Sequence, residues 1–156
     1  MYILDSDIFD DLVYPSVYRP RLVAKINEVG QSNVWFSVIT AYEKLDGLLA
    51  EIRRLLNPRN QSLAPHQVEE FEALITLLGK LSDSQILPFT GTDFEHYRSI
   101  FAVLRKAPLD CRIGASARSR NWIVVTRNKA DFGPIRDRAG VRVEYWADPQ
   151  PVNNTI

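Results

Sequence analysis

Five short apolar, β-branched or aromatic runs are spread along the chain, and the segments between them carry apolar residues three or four positions apart. The runs are Tyr2, Ile3 and Leu4, then residues 33–37, 85–89, 122–126 and 141–145. Runs of this length and composition predict buried parallel strands, with the first ending at Asp5. Over residues 40–56 the positions Tyr42, Leu45, Leu48, Leu49, Ile52, Leu55 and Leu56 form one helical stripe. Val68, Phe71, Leu74, Ile75, Leu78 and Leu81 form a second, and Phe94, Tyr97, Phe101 and Leu104 a third. All three are expected to be core stripes. Strands alternating with helices predict an α/β fold, a three-layer α/β/α sandwich around a central, mainly parallel five-stranded sheet. Ligands of such sheets sit at the carboxyl ends of the strands.

A length of 156 residues with 46% hydrophobic content predicts one domain, over residues 1–148, followed by a tail from 149 to 156. Residues 57–65 are polar, hold two prolines, and read as a connection between helices. Cys111 has no second cysteine to pair with, and His66 and His96 lack the spaced partners of a zinc site. The first residues carry no basic stretch leading into an apolar one, and no apolar run approaches the roughly 18 residues of a membrane span, so a cytoplasmic protein is expected. The formal net charge is zero, yet it is unevenly laid out. Residues 1–97 hold 8 Lys or Arg against 14 Asp or Glu, and residues 98–156 hold 11 against 5. Basic residues at the rim of an acidic pocket would hold a phosphate backbone while the pocket holds cations; a solvated surface of mixed sign is the plainer alternative.

The acids are placed where that pocket would form. Asp5 and Asp7 are two residues apart at the end of the first strand, which in an extended segment turns both to one side. Hard cations such as magnesium or manganese take carboxylate oxygens, although an Asp after a strand also serves as a turn former or helix cap. Thr40-Ala41-Tyr42-Glu43 reads as a capping box, with Thr40 as N-cap and Glu43 at the third helical position. That position also lies near the carboxyl edge of the sheet, so both roles stay open for Glu43. Asp110 follows Ala107-Pro108-Leu109 and reads as the N-cap of a helix over 111–119. Gly114, Ala115 and Ala117 give that helix a small face able to approach the sheet closely. Asn128 and Asp131 follow the run 122–126, where turn chemistry is their simplest role.

Leu4-Asp5-Ser6-Asp7, the segment 37–43, the segment 110–132 and Trp146 after the last strand, taken in this order, resemble the motif series of PIN domains, particularly the VapC-type toxins. The resemblance spans nearly the whole chain, with residues 57–106 contributing only helical pattern. It implies a PIN-like fold whose carboxylates bind one or two Mg2+ or Mn2+ ions and which cleaves RNA. Asp5, Glu43 and Asp110 match the three central acids of the pattern. Asn128 and Asp131 compete for the fourth, and Asp131 is preferred for its charge. Asp7 stands where many relatives have Asn, Ser6 resembles the hydroxyl beside the metal, and Thr126 is a further supporting residue. A cognate antitoxin and a homodimer are implied as partners.

Carboxylates brought together raise one another's pKa unless a divalent cation neutralises them. Such a cation lowers the pKa of water for an in-line attack on phosphate. Arg112, Arg118, Arg127 and Lys129 flank the last two acids in sequence and are candidates for holding RNA phosphates. Two other readings compete. A haloacid dehalogenase-type phosphatase also opens with Asp-x-Asp, but this chain has Phe9 where that pattern has Thr or Val. A PIN-like binding module acting through a protein partner would keep the fold without efficient catalysis.

Overall fold

The computed structural model of the chain describes residues 1–57 and 64–149, the side chains of 64–67 excepted. Strand β1 (Tyr2–Leu4) leads into helices α1 (Ser6–Val13) and α2 (Arg19–Val29), then β2 (Val34–Ser37) and α3 (Val38–Leu55). Helix α4 (Ala64–Ser82), β3 (Ile86–Leu87), α5 (Gly91–Leu104) and α6 (Pro108–Arg120) follow. The chain then runs through β4 (Ile123–Val125), α7 (Lys129–Ala139) and β5 (Arg142–Glu144). All five strands are parallel, in the order β3-β2-β1-β4-β5. The chain winds outward from β1 on one side, then returns to place β4 on the other, so the direction of winding reverses between β1 and β4. In open α/β sheets, that is where a crevice opens at the carboxyl edge.

Register fixes what lines the crevice. Leu4 pairs with both Phe36 and Val125, so β1, β2 and β4 end level and release Asp5, Ser37 and Thr126 at one edge. Successive side chains point to opposite faces of a strand. Ile3 and Val124 therefore enter one core with Ile100, Ile113, Phe132 and Ile135 from α5, α6 and α7. Leu4 and Val125 enter the other, with Ile8 and Leu22 from α1 and α2, and Trp146. The expected three-layer sandwich forms in this way. Strand β1 matches its run, and the other four strands are shorter than theirs. Strand β3 is cut to two residues, and the proline next to it, Pro88, has no N–H to give a ladder. Among the described residues no helix is long and apolar enough to cross a membrane.

Two local expectations are corrected. Helix α3 begins at Val38 because the Ser37 hydroxyl accepts from the Ile39 N–H at 3.1 Å, so the cap is Ser37 and not a box of Thr40 and Glu43. Thr40 is buried inside the helix. Helix α6 begins at Pro108, whose fixed φ suits the first helical position, which puts Asp110 in the first turn and not at the N-cap. The small face of α6 packs close to β1 and β4 as expected, and at Gly114 it also meets α7 and the approach to β5, since a Cβ there would lie 3.0 Å from Ile135 Cγ2 and 3.6 Å from Val141 Cγ2.

A third correction concerns the apolar stripes of α3 and α4. Ile52, Leu55 and Leu77 are buried, but Tyr42 and Ile75 are 54% and 72% exposed, and Leu56, Val68, Phe71 and Leu78 are exposed too. Helix α4 packs chiefly on α3 and not on the sheet, which leaves the outer apolar face of the pair uncovered. The connection expected over 57–65 falls largely on residues outside the described set, as does the tail beyond Pro149.

Opposite the crevice, α5 is tied to the end of α6. Thr90 and Asp93 form a capping box at the start of α5, and the buried Asp93 carboxylate also accepts from Arg120 and Ser119.

Candidate active site

Asp5 sits at the centre of the edge, 3% exposed. Its backbone N–H extends the ladder by one bond, to the Val125 carbonyl at 2.9 Å. Its Oδ1 accepts from the Ser6 N–H at 2.7 Å, capping α1, and its Oδ2 accepts from the Thr126 hydroxyl at 2.8 Å. The cap and the pocket are thus served by the same carboxylate. Thr126 Oγ1 accepts in turn from the Asn128 N–H at 2.9 Å, so the loop after β4 is tied to Asp5.

The other acids close around it. Asp7, in the first turn of α1, accepts from the Arg127 N–H at 2.9 Å through Oδ2, while its Oδ1 is buried without a partner. Glu43, in the second turn of α3, has Oε2 buried without a partner. Among the described residues no hydrogen-bond donor reaches the Asp110 carboxylate. Burial pushes the Asp110 carboxyl up to about 7, helped by the charges of Asp5, Asp131, Glu43 and Asp7. Charges from α1, α3, α7 and the end of β1 thus act on the Asp110 carboxyl. Burial, then the charge of Asp5, pushes Asp7 up to about 6. Asp5 and Glu43 are also raised, chiefly by burial.

Asp131 differs. Its Oδ2 accepts from Asn128 Nδ2 at 3.1 Å and its Oδ1 from Lys106 Nζ at 3.2 Å, and these two bonds hold its carboxyl below the usual range. Asn128 spends its own carbonyl oxygen on the Asp131 N–H, as N-cap of α7. Asn128 therefore positions Asp131 through two bonds.

The four basic candidates are engaged elsewhere. Arg127 pairs with the buried Asp11 at 2.7 Å and lies 4.7 Å from the centre of the Tyr18 ring. Lys129 pairs with Asp148 at 2.7 Å, Arg112 donates to the Pro108 carbonyl and lies over Tyr97, and Arg118 bonds the Ser99 hydroxyl. The basic side chain bonded to the acids, Lys106, was not singled out by sequence. Its only signal there is that it lies four residues before Asp110.

Among the described residues, no three His, Cys, Asp or Glu side chains are grouped as a finished metal cage. The donor set fits a hard divalent cation: carboxylate oxygens only, two of them buried and unpartnered, with four carboxyls raised chiefly by burial and, at Asp5, Asp7 and Asp110, also by neighbouring carboxylates.

The sequence pattern of the PIN domain matches residues 2–134. The chain is a PIN domain. No curated protein matches it in sequence. Solved structures share the fold at low identity. FitAcB from Neisseria gonorrhoeae is 24% identical, with a TM-score of 0.61, over 94% of this chain and 98% of that one. VapBC-1 from nontypeable Haemophilus influenzae is 20% identical, with a TM-score of 0.65, over 94% and 98%. VapBC-5 from Mycobacterium tuberculosis, described as a member of the VapBC family of toxin-antitoxin systems, is 19% identical, with a TM-score of 0.53, over 92% and 96%. PIN domains are nucleases that generally use divalent metal ions, so this PIN domain belongs to the hydrolases acting on nucleic acid.

The raised acids make a stability prediction. Between the ordinary pKa of 3.8 and about 7, the folded protein keeps a proton on Asp110 that the unfolded chain has lost, so metal-free stability falls as pH rises through that window. Asp110→Asn removes the burdened charge. At pH 8 without divalent ions it is expected to gain about 1–2 kcal/mol, after discounting for solvent screening, and to flatten the pH profile between 4 and 7. Urea unfolding at several pH values in a chelator measures this; an unchanged profile would show that Asp110 carries no such burden.

Proposed function

We propose that this PIN domain, carried on residues 1–148, is a metal-dependent endoribonuclease, the toxin of a VapBC-type toxin-antitoxin pair. The observation that carries the reading is the buried Asp5 at the reversal between β1 and β4, held by Ser6 and Thr126, together with the buried, unpartnered carboxylate oxygens of Asp7 and Glu43. RNA as substrate follows from the resemblance of the motif series to VapC-type toxins.

Asp5, Glu43 and Asp110 are the residues that would hold Mg2+ or Mn2+, with Asp7 and Asp131 adding negative charge. A bound ion supplies Lewis-acid polarisation of the phosphate and an acidified water. The protein's own part is to fix the donors. Ser6 and Thr126 hold both oxygens of Asp5, the Arg127 backbone holds Asp7, and Asn128 holds Asp131. Donors fixed beforehand need no reorganisation when the substrate arrives.

The exposed apolar face of α3 and α4, with Tyr42, Phe71, Ile75 and Leu78, supports a protein partner. An antitoxin is the partner proposed, because VapBC-5 is described as a toxin-antitoxin system. A homodimer through the same helices is the second arrangement, and the cytoplasm is the compartment where RNA and antitoxin would be met.

Purified protein is to be incubated separately with labelled RNA, labelled single-stranded DNA and a generic phosphate monoester, in Mn2+ and in chelator. Internal RNA cleavage in Mn2+ alone is expected. Hydrolysis of the monoester without RNA cleavage would favour the phosphatase. Intact RNA in every condition would leave a binding module.

A further inference from the structure

The loop between α5 and α6 is built at a backbone cost. Arg105 and Ala107 both take left-handed conformations, with φ of 52° and 47°, which cost a residue bearing a Cβ about 1–2 kcal/mol each. Lys106 stands between them. Its carbonyl accepts from the buried Cys111 thiol at 3.3 Å, and its ammonium donates to Asp131 Oδ1 at 3.2 Å and to the Ala130 carbonyl at 3.4 Å.

Stability does not account for this arrangement. The Lys106 side chain is 49% exposed and that of Asp131 34%, and an ion pair so exposed contributes about 0–1 kcal/mol. The neighbouring cations have other partners: Lys44 pairs with Asp10, Arg127 with Asp11, and Lys129 with Asp148. Among the described residues, Lys106 is the cationic side chain bonded to one of the five converging acids. It sits on Asp131, the most exposed part of that group, whereas Asp5 is buried beneath. A weak, solvent-facing pair is readily exchanged for another anion, and an RNA phosphate is the anion that this pocket would meet.

We propose that Lys106 is the phosphate-contacting residue of the site: Asp131 holds its ammonium at the pocket mouth, and the ammonium passes to a nonbridging phosphate oxygen when RNA docks. This rests on the ribonuclease reading of the same site. The contact persists from docking through reaction, so it acts on substrate affinity more than on turnover.

Lys106→Met, Lys106→Gln and Lys106→Arg are the test, with steady-state cleavage kinetics in Mn2+ at several salt concentrations. Binding of a short fluorescein-labelled single-stranded RNA is measured in an Asp5→Asn background, and Mn2+ binding by calorimetry. Met and Gln are expected to raise KM about five- to tenfold with kcat nearly unchanged, and to lower the salt slope of RNA binding by about 0.7–1. Arg is expected to restore both, and Mn2+ affinity is expected to hold in all three. An unchanged KM and salt slope in Met and Gln, with the wild type cleaving RNA, would overturn this inference alone. Loss of kcat and Mn2+ affinity at constant KM would also overturn it, assigning Lys106 to Asp131 only. A wild type that neither binds nor cleaves RNA would overturn the ribonuclease reading along with it.

Discussion

Replacing Asp5 by Asn is expected to reduce metal-dependent RNA cleavage by about 10²–10³-fold or more, while the fold and its melting temperature are kept. The asparagine carbonyl takes over the cap by accepting from the Ser6 N–H. Its amide faces the Thr126 hydroxyl, which has two lone pairs and already accepts from the Asn128 N–H, so it rotates to accept a second bond. The buried Thr126 O–H loses its acceptor, a cost offset by relieving the burial of the Asp5 charge. What disappears is one negative charge in the middle of the pocket, where a divalent cation would draw most on it. Cleavage of a fluorogenic RNA, with thermal melting of the same preparation, checks both halves. Wild-type cleavage by this variant would remove Asp5 from the site.

The second large effect is on stability. Asp93→Ala is expected to cost about 3–5 kcal/mol. The Asp93 carboxylate accepts from Arg120 at 2.5 and 3.1 Å, from Ser119, and from the Thr90 N–H at 2.7 Å and hydroxyl at 2.9 Å. Burial would lift its pKa, but the Arg120, Ser119 and Thr90 bonds outweigh burial and hold it low. Its contribution is therefore present at neutral pH and lost only as the pH falls through that lowered value. The alanine variant leaves a mostly covered guanidinium without its counter-charge and α5 without its cap. The network lies ten residues along α6 from Asp110, about 15 Å on an α-helix, so the folded fraction is expected to keep its cleavage activity. Urea unfolding gives the cost directly. A loss under about 1 kcal/mol would mean that the pair is a surface contact in effect.

What could be read in the letters depended on range. Strands as short as Ile3-Leu4 and Val124-Val125 were legible because residues buried on both faces are apolar without interruption. Their order in the sheet was not, since pairing β1 with β4 across more than a hundred residues leaves no local mark. Asp5 and Asp7 were found because a strand end delivers them directly.

Helix starts misled at two acids. Thr40 and Glu43 have capping-box spacing, but Ser37 lies closer to the end of β2 and caps first. Asp110 is a good N-cap type, but Pro108 starts the helix earlier. Both shifts leave the carboxylates clear of backbone amides and free for the pocket. The stripes of α3 and α4 were read as core because periodicity shows that a face is apolar without showing what covers it. Lys106 was invisible for a related reason: its place depends on two left-handed neighbours that are not glycine.

Calorimetric titration of Mn2+ into wild-type protein and Asp5→Asn near pH 6.5, repeated in buffers of different ionisation heat, tests the shared carboxylate pocket most directly. Binding by the wild type with release of protons is expected, because Asp7 and Asp110 titrate near 6 and 7 and must ionise to hold the ion. The Asp5→Asn variant should bind at least tenfold more weakly, by about 1.4 kcal/mol or more. Equal binding by the two proteins, or no binding by the wild type, would contradict the account.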